Sequence, residues 1–298
     1  MRKKILITGA SGFTGRHFIF LANTLGYDCV ALCHTKQESV EGCSATFIAD
    51  ITNKKQLKEQ LAIIQPDYVV HLAAISFVPH GDVADIYQAN LIGTTNLIDC
   101  LIELHLPLKK VLIASSGNVY GNNVDLPINE TMLPTPINDY GVSKYSMELA
   151  VKLRFDKLPI IMIRPFNYTG DGQAEHFLIP KIISSFKSKD KYIELGNLDV
   201  SRDFSDVRDV ANAYIKLLES DARSDIYNVC TGKSISLLSI ISILNELAGY
   251  TIAVKVNPDF VRENEIKELY GDNKKLTQII GKYIEYEFHE TLAWMYNS

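Results

Sequence analysis

"KKILITGASGFTGRHFIFLANTLG", residues 3–26, decides how the chain folds. "KKILITG" (3–9) is a short apolar run ending in glycine, and "GFTGRHFIFLANTLG" (12–26) carries apolar residues at helical spacing up to a glycine stop. A strand therefore feeds a helix through Gly9, Gly12 and Gly15. Glycines there let the backbone turn tightly and approach a pyrophosphate, which the helix N-terminus then holds. Three glycines can also be simple loop punctuation, and G-x-x-G-x-x-G is one residue longer than the common dinucleotide fingerprint. The strand–loop–helix setting favours a dinucleotide, with Phe13, Thr14 and Arg16 as further contacts.

Outward from this stretch the pattern repeats. Strands are expected at "DCVALC", "ATFIAD", "DYVVHLAA" (67–74), "KKVLIASS" (109–116) and "LPIIMIRP" (158–165). Between them "NKKQLKEQLAIIQ", one long helix "DIYQANLIGTTNLIDCLIEL" and "DYGVSKYSMELAVKLRF" read as helices. Near-continuous apolar strands alternating with helices mark a doubly wound parallel α/β sheet of Rossmann type. After Pro165 the alternation weakens, with helices at about 207–219 and 236–248. The expected division is a nucleotide-binding lobe over 1–165 and a smaller substrate lobe over 166–298, with some segments returning to the first.

Composition narrows the classes. The chain has 298 residues, 47% hydrophobic and 22% charged, with a net charge of -5 and no basic cluster. That argues against a nucleic-acid or membrane-surface binder. The apolar run "ILI" is too short for a signal h-region, and no segment approaches a membrane span. A cytoplasmic protein is expected. The odd number of cysteines makes no disulfide framework. Cys29 and Cys33 share one strand face as small core hydrophobes, and no metal site is expected.

The end of the second strand bears on which dinucleotide binds. An acid there would bond the ribose 2′-hydroxyl of NAD and repel a 2′-phosphate. This chain has His34 and Lys36 instead, with Arg16 after the last loop glycine, which favours NADP(H) over NAD(H). Asp50 ends the third strand as an acceptor for the adenine amino group, as the N-cap of the next helix, or both. Ile51 follows it as a cofactor contact, and Leu72, Ala73 and Ala74 supply small residues where the fourth strand meets the cofactor.

"ASSGNVYG" (114–121) ends the fifth strand at the edge where open α/β sheets bind ligands. Tyr140 and Lys144 open the following helix four residues apart. The bare pair means little, because Tyr270 and Lys274 repeat it in "YGDNK". Beside a dinucleotide loop and a strand-end hydroxyl it acquires a chemistry. Hydride reduction of a carbonyl needs an acid for the developing alkoxide. A phenol has a pKa of about 10, and the ammonium of Lys144, on the same helix face, is expected to lower it. Ser116 would hold the carbonyl oxygen.

Together "TGASGFTG", Asp50, "HLAA", "SSGNVYG" and "YGVSK" resemble the extended short-chain dehydrogenase/reductase family of nucleotide-sugar enzymes, over residues 5 to about 280. The resemblance implies a catalytic set of Ser116, Tyr140 and Lys144. "IRPFNYTGDGQ" (163–173), "GNLDVSRDFSDVRDVANAY" (196–214), "YNVCTGK" (227–233) and "VRENEIKELYGDNKKL" (261–276) are similar to its GDP-4-keto-6-deoxy-D-mannose reductase branch. That implies reduction of a C4 ketone on a nucleotide-linked 6-deoxyhexulose, GDP first and dTDP next. It also implies sugar-nucleotide contacts from Asn167, Arg202 and Arg262, with Ser76 a further substrate candidate. Each arginine can alternatively be a structural ion pair. Two apolar helices, with Ile86, Leu91, Leu97 and Leu101 on one and Met147, Leu149 and Val151 on the other, are expected to form a homodimer. Gly117 and Asn118 stand where a 4,6-dehydratase needs an acid–base pair. A 4-epimerase with tightly bound NAD is the nearer alternative, and a non-catalytic dinucleotide sensor the more distant one.

Overall fold

The computed structural model describes residues 2–35, 39–76, 82–122, 125–261 and 266–298. In chain order β1 (Lys4–Thr8) leads into α1 (Phe13–Thr24), then β2 (Asp28–Cys33), β3 (Ala45–Ile48), α2 (Lys54–Ile64) and β4 (Tyr68–His71). Next come α3 (Val83–Tyr87), a π-helical turn (Gln88–Gly93), α4 (Thr94–Glu103), β5 (Lys110–Ala114), α5 (Asp139–Lys152) and β6 (Ile160–Pro165). The remainder runs β7 (Asn167–Thr169), α6 (Leu178–Lys187), β8 (Tyr192–Leu195), β9 (Ser201–Arg202), β10 (Phe204–Asp206), α7 (Val207–Glu219) and β11 (Asp225–Val229). It closes with β12 (Ile235–Ser236), α8 (Leu237–Ala248), β13 (Ala253–Val256), β14 (Glu268–Leu269), α9 (Lys274–Ile280) and α10 (Phe288–Asn297).

Seven strands pair in the order β11-β6-β5-β4-β1-β2-β3, every pair parallel. Alternation along β1 shows why helices cover both faces. Ile5 and Ile7 pack with Phe18 of α1 and Val210 and Tyr214 of α7, whereas Leu6 packs toward Leu57 and Leu61 of α2, Leu97 of α4 and Met147 of α5. Each fully buried Ile or Leu contributes roughly 1.5–3 kcal/mol. This is the expected doubly wound sheet. The strand order reverses between β1 and β4, which run in register from Ile5–Tyr68 to Thr8–His71. Their carboxyl ends frame the crevice where such sheets bind ligands.

Three features depart from the expected pattern. The long helix at 85–104 is interrupted by the π-helical turn. There the buried Asn90 side chain accepts from Ile75 N at 2.8 Å and donates to Ile75 O at 3.0 Å and Ser143 Oγ at 3.0 Å. A seventh strand, β11, lies beside β6. The third departure is the set of residues expected at a dimer surface: Ile86, Leu97, Leu101, Met147 and Val151 are buried within this chain. They complete the cover of the sheet. Among the described residues, the exposed large apolar side chains over 83–104 and 139–155 are Val83, Ile92, Leu149 and Leu153.

Outside the seven-stranded sheet, β8 pairs with β13 in parallel beside a separate apolar cluster. This cluster gathers Ile182 and Phe186 of α6, Ile240 and Leu244 of α8 and Leu292 of α10. Cys29 and Cys33 are buried, and desolvation raises both thiols, Cys29 to about 12. Among the described residues no helix is long and apolar enough to cross a membrane.

Candidate active site

A cleft of about 1090 Å³ runs along the carboxyl edge of the sheet and continues to Leu195, Arg202, Leu237 and Phe260. Gly9, Gly12, Phe13, Thr14, Gly15 and Arg16 form one wall. Gly9 has φ 69°, and a Cβ on it would stand 2.8 Å from Ala73 N and 2.9 Å from Leu72 C. The small residues of "HLAA" thus sit directly against the loop. A Cβ on Gly15 would meet Gly9 O at 2.4 Å and Ala10 O at 2.6 Å. Gly12 caps α1 without a side-chain bond, and the first turn has no acidic residue. The amides of that turn therefore retain their capacity for an anion, favoured by the helix dipole. These residues fit the pyrophosphate of a dinucleotide.

The outer rim differs from the simple expectation. Asp50 Oδ1 accepts from Thr52 N at 2.8 Å and Thr52 Oγ1 at 2.7 Å. The N-cap of α2 is Asn53, which accepts from Gln56 N at 3.2 Å, so the capping role expected of Asp50 is corrected. Asp50 instead closes a local turn with Thr52, and His34 Nε2 lies 3.4 Å from its Oδ2. Burial opposes ionisation of Asp50, but the bonds from Thr52 and the nearness of His34 outweigh it and lower its pKa. Ile51 packs against Gly93, where an added Cβ would stand 2.6 Å from its side chain. His34, Asp50, Ile51 and Ala73 stand back from the cleft wall, while Leu72, Ala74 and Ser76 line it. Arg16 Nη2 donates to Gly172 O at 2.9 Å, tying the glycine loop to the loop after β7. Lys36 and Arg262 lie outside the described residues.

Ser116, Tyr140 and Lys144 meet on the cleft wall. Ser116 follows β5 and caps a 3₁₀ turn by accepting from Asn118 N at 3.1 Å. Asn138 caps α5 by accepting from Gly141 N at 2.8 Å, which sets the first turn carrying Tyr140. Lys144 Nζ donates to Ala114 O at 2.8 Å and lies 6.0 Å from the centre of the Tyr140 ring. Burial pushes the Tyr140 phenol up to about 12, Tyr168 adds to the rise, and a hydrogen bond with Ser116 opposes it. The expected lowering by Lys144 is therefore absent in this protein as it stands. The ammonium is turned toward a carbonyl, and desolvation brings Lys144 itself down to about 8 against the pull of Glu148. Tyr140 is neutral at physiological pH, the state a proton donor requires.

Two contributors escaped the sequence reading. Tyr168 stacks on Phe13 with ring centres 6.0 Å apart, and its hydroxyl lies 2.8 Å from Thr14 Oγ1. Its only signal is its place next to Asn167. His71 bridges Thr8 Oγ1 at 2.6 Å and Thr94 Oγ1 at 2.8 Å, and burial, helped by Lys144, holds it down at about 3. It is a neutral tie between β1, β4 and α4. On the far wall stand Asn167 and Arg202, the latter donating through Nη1 to Ser201 O at 2.8 Å. Gly117 and Asn118 line the cleft directly after Ser116. Tyr270 precedes α9 rather than riding on it, and Lys274 lies 3.4 Å from Asp272, so the second Tyr–Lys pair shares neither a helix face nor this cleft.

Residues 5–230 match the NAD dependent epimerase/dehydratase family. The chain belongs to this family. It is accordingly an enzyme that works with a nicotinamide dinucleotide. Among its relatives, GDP-6-deoxy-D-talose 4-dehydrogenase of Aggregatibacter actinomycetemcomitans is 36% identical over 97% of this chain and 95% of its own. GDP-6-deoxy-D-mannose reductase of Pseudomonas aeruginosa is 31% identical over 94% and 92% of the two chains. The structure of RMD from Pseudomonas aeruginosa complexed with NADPH superposes with a TM-score of 0.86 at 29% identity, over 99% of this chain and 98% of that one.

Proposed function

We propose that this family member uses NADPH to reduce the C4 ketone of a nucleotide-linked 4-keto-6-deoxyhexose, with GDP as the favoured nucleotide. The observation that carries the proposal is a neutral Tyr140 hydrogen-bonded to Ser116 on the wall of a cleft, followed by Gly117 and Asn118, neither of which titrates. Dehydration would need a titratable pair there. The two relatives support the same ketone. 6-Deoxy-D-talose and 6-deoxy-D-mannose differ in configuration at C4 alone, so oxidising one and forming the other pass through one 4-keto sugar.

In this reading the glycine loop and the first turn of α1 hold the pyrophosphate of the dinucleotide, which supplies the hydride when bound. Ser116 and Tyr140 bond the ketone oxygen, and Tyr140 gives its proton as alkoxide character develops. Lys144 stabilises the phenolate left behind. Asn167 and Arg202 grip the sugar nucleotide, converting remote binding into orientation of C4. Arg16 and His34, with Lys36, favour NADPH over NADH, in line with the NADPH bound by RMD. Val83, Ile92, Leu149 and Leu153 remain as the apolar surface of a homodimer, which sedimentation at micromolar concentration tests.

The test is incubation with NADPH or NADH and a panel of GDP-, dTDP-, UDP- and CDP-4-keto-6-deoxy sugars, following loss of nicotinamide absorbance and identifying the product. Interconversion of C4 epimers without net NADPH consumption would overturn the reading. Arg202→Ala is expected to lower kcat/KM for the sugar nucleotide about tenfold or more, the worth of one charged hydrogen bond, with NADPH affinity nearly unchanged. The pH profile has a definite sign. Lys144 is an ammonium below about 8 and neutral above it, so kcat is expected to fall as pH rises through about 8. A kcat that stays constant while Lys144 loses its proton would remove Lys144 from its role.

A further inference from the structure

Three successive residues at the end of β5 engage three successive turns of α5. Ser116 reaches Tyr140, the carbonyl of Ala114 accepts from Lys144 at 2.8 Å, and Ser115 Oγ donates to Glu148 Oε1 at 2.5 Å. Residues 140, 144 and 148 share a face of the helix by their spacing of four. Glu148 is fully buried, and Arg164 at the end of β6 grips it with Nε to Oε1 at 2.8 Å and Nη2 to Oε2 at 2.5 Å. Arg164 Nη1 in turn donates to Tyr120 Oη at 2.8 Å, and that hydroxyl donates to Asn228 Oδ1 of β11 at 2.7 Å. The chain of bonds runs beneath the candidate site from β5 to β11.

We propose that Glu148 is a positioning residue of this site: through Ser115 it anchors the loop that presents Ser116, and one turn beyond Lys144 it sustains the charge of that lysine. The inference rests on the reading of Ser116, Tyr140 and Lys144 given above. Burial alone does not explain the arrangement. An apolar side chain would fill the space under β5 without placing a carboxylate one helical turn from a desolvated ammonium. The groups facing Lys144 are few among the described residues. Tyr140 and Glu148 lie on its own helix, His71 on β4 is neutral, the Ala114 carbonyl belongs to β5, and Arg164 on β6 is committed to Glu148. Glu148 is the negative group of this set. Without it Lys144 would lose its proton at lower pH.

The experiment uses the full chain with lysine ¹³C-labelled at Cε, the Lys144 signal being assigned by its absence from Lys144→Arg. Glu148→Gln is expected to lower the Lys144 titration midpoint by about one pH unit and to move the alkaline limb of kcat with it, and Glu148→Asp to restore part of both. Ser115→Ala is expected to leave that midpoint in place and lower kcat about tenfold, through loss of orientation at Ser116, with KM for the dinucleotide unchanged. A fixed Lys144 midpoint in Glu148→Gln overturns the charge role, and kcat within twofold of wild type in Ser115→Ala overturns the anchoring role. Should Glu148→Gln fail to fold, because Arg164 is left unpaired, Glu148→Asp, whose carboxylate is drawn back by one methylene, decides the charge role, an unmoved Lys144 midpoint overturning it, and Ser115→Ala decides the anchoring role. If wild type reduces no 4-keto sugar, the functional proposal fails while the titration still reads Glu148.

Discussion

Tyr140→Phe is expected to lower kcat for ketone reduction a hundredfold or more, a loss of about 3 kcal/mol of transition-state stabilisation, while dinucleotide affinity changes little. The phenylalanine ring keeps the packing of the first turn of α5 and removes one oxygen. That oxygen is the one hydrogen-bonded to Ser116, and its proton is held firmly, the phenol being pushed up to about 12 by burial. Ser116 remains to bond the ketone but is too weak an acid to replace the phenol. Single-turnover kinetics with saturating NADPH measure the chemical step directly. Turnover near that of wild type would show that the proton comes from elsewhere.

Gly15→Ala is expected to act as strongly by a different route. Its Cβ would stand 2.4 Å from Gly9 O, 2.6 Å from Ala10 O and 2.8 Å from Ala10 C, all backbone atoms that no rotamer change relieves. The loop must open, at a cost of roughly 1–3 kcal/mol for overpacking. The displaced atoms are those that shape the pyrophosphate cradle. Affinity for the dinucleotide should fall about a hundredfold at a site where the backbone itself makes the contacts, and the melting temperature should fall with it. Titration with NADPH, followed by calorimetry, and a thermal melt separate the two effects. Unchanged affinity would mean that the cradle is not where the dinucleotide binds.

The parts of the fold legible in the sequence are those whose physics is local. β1, β2, β4, β5 and β6 are apolar runs buried on both faces, and α1 and α5 show helical spacing with a glycine or asparagine start. The π-helical turn at Gln88–Gly93 was not legible, because it answers to Asn90 bonding Ile75 and Ser143, contacts made across the fold. α6 lacks a side-chain N-cap, Phe177 standing in that place, and β11 is five residues long with its partner strand some sixty residues earlier. Within the site the motifs located Ser116, Tyr140, Lys144 and the glycines. The electrostatics eluded them. A Tyr–Lys spacing suggests a lowered phenol, but desolvation in the cleft outweighs a lysine whose ammonium is aimed at Ala114 O. Side chains at Ile86, Leu97 and Leu101 looked surplus because spacing does not reveal how deep a helix sits on its sheet.

The place of α7 and β11 bears on how such enzymes can be re-engineered. Both lie in sequence after Asn167 and Arg202 of the far wall, yet Val210 and Tyr214 fill the core beside Ile5 and Phe18, and Asn228 ends the bond chain from Glu148. A cut after Pro165 would strip an edge strand and a covering helix from the dinucleotide-binding half. Grafting a foreign far wall onto residues 1–165 would therefore exchange part of the scaffold along with the specificity. Recombination among relatives should succeed when the crossovers bracket loops, at 170–177 or 257–261 for example, and leave α7 and β11 with their native sheet. Substrate range in this chain is a property to be edited in place.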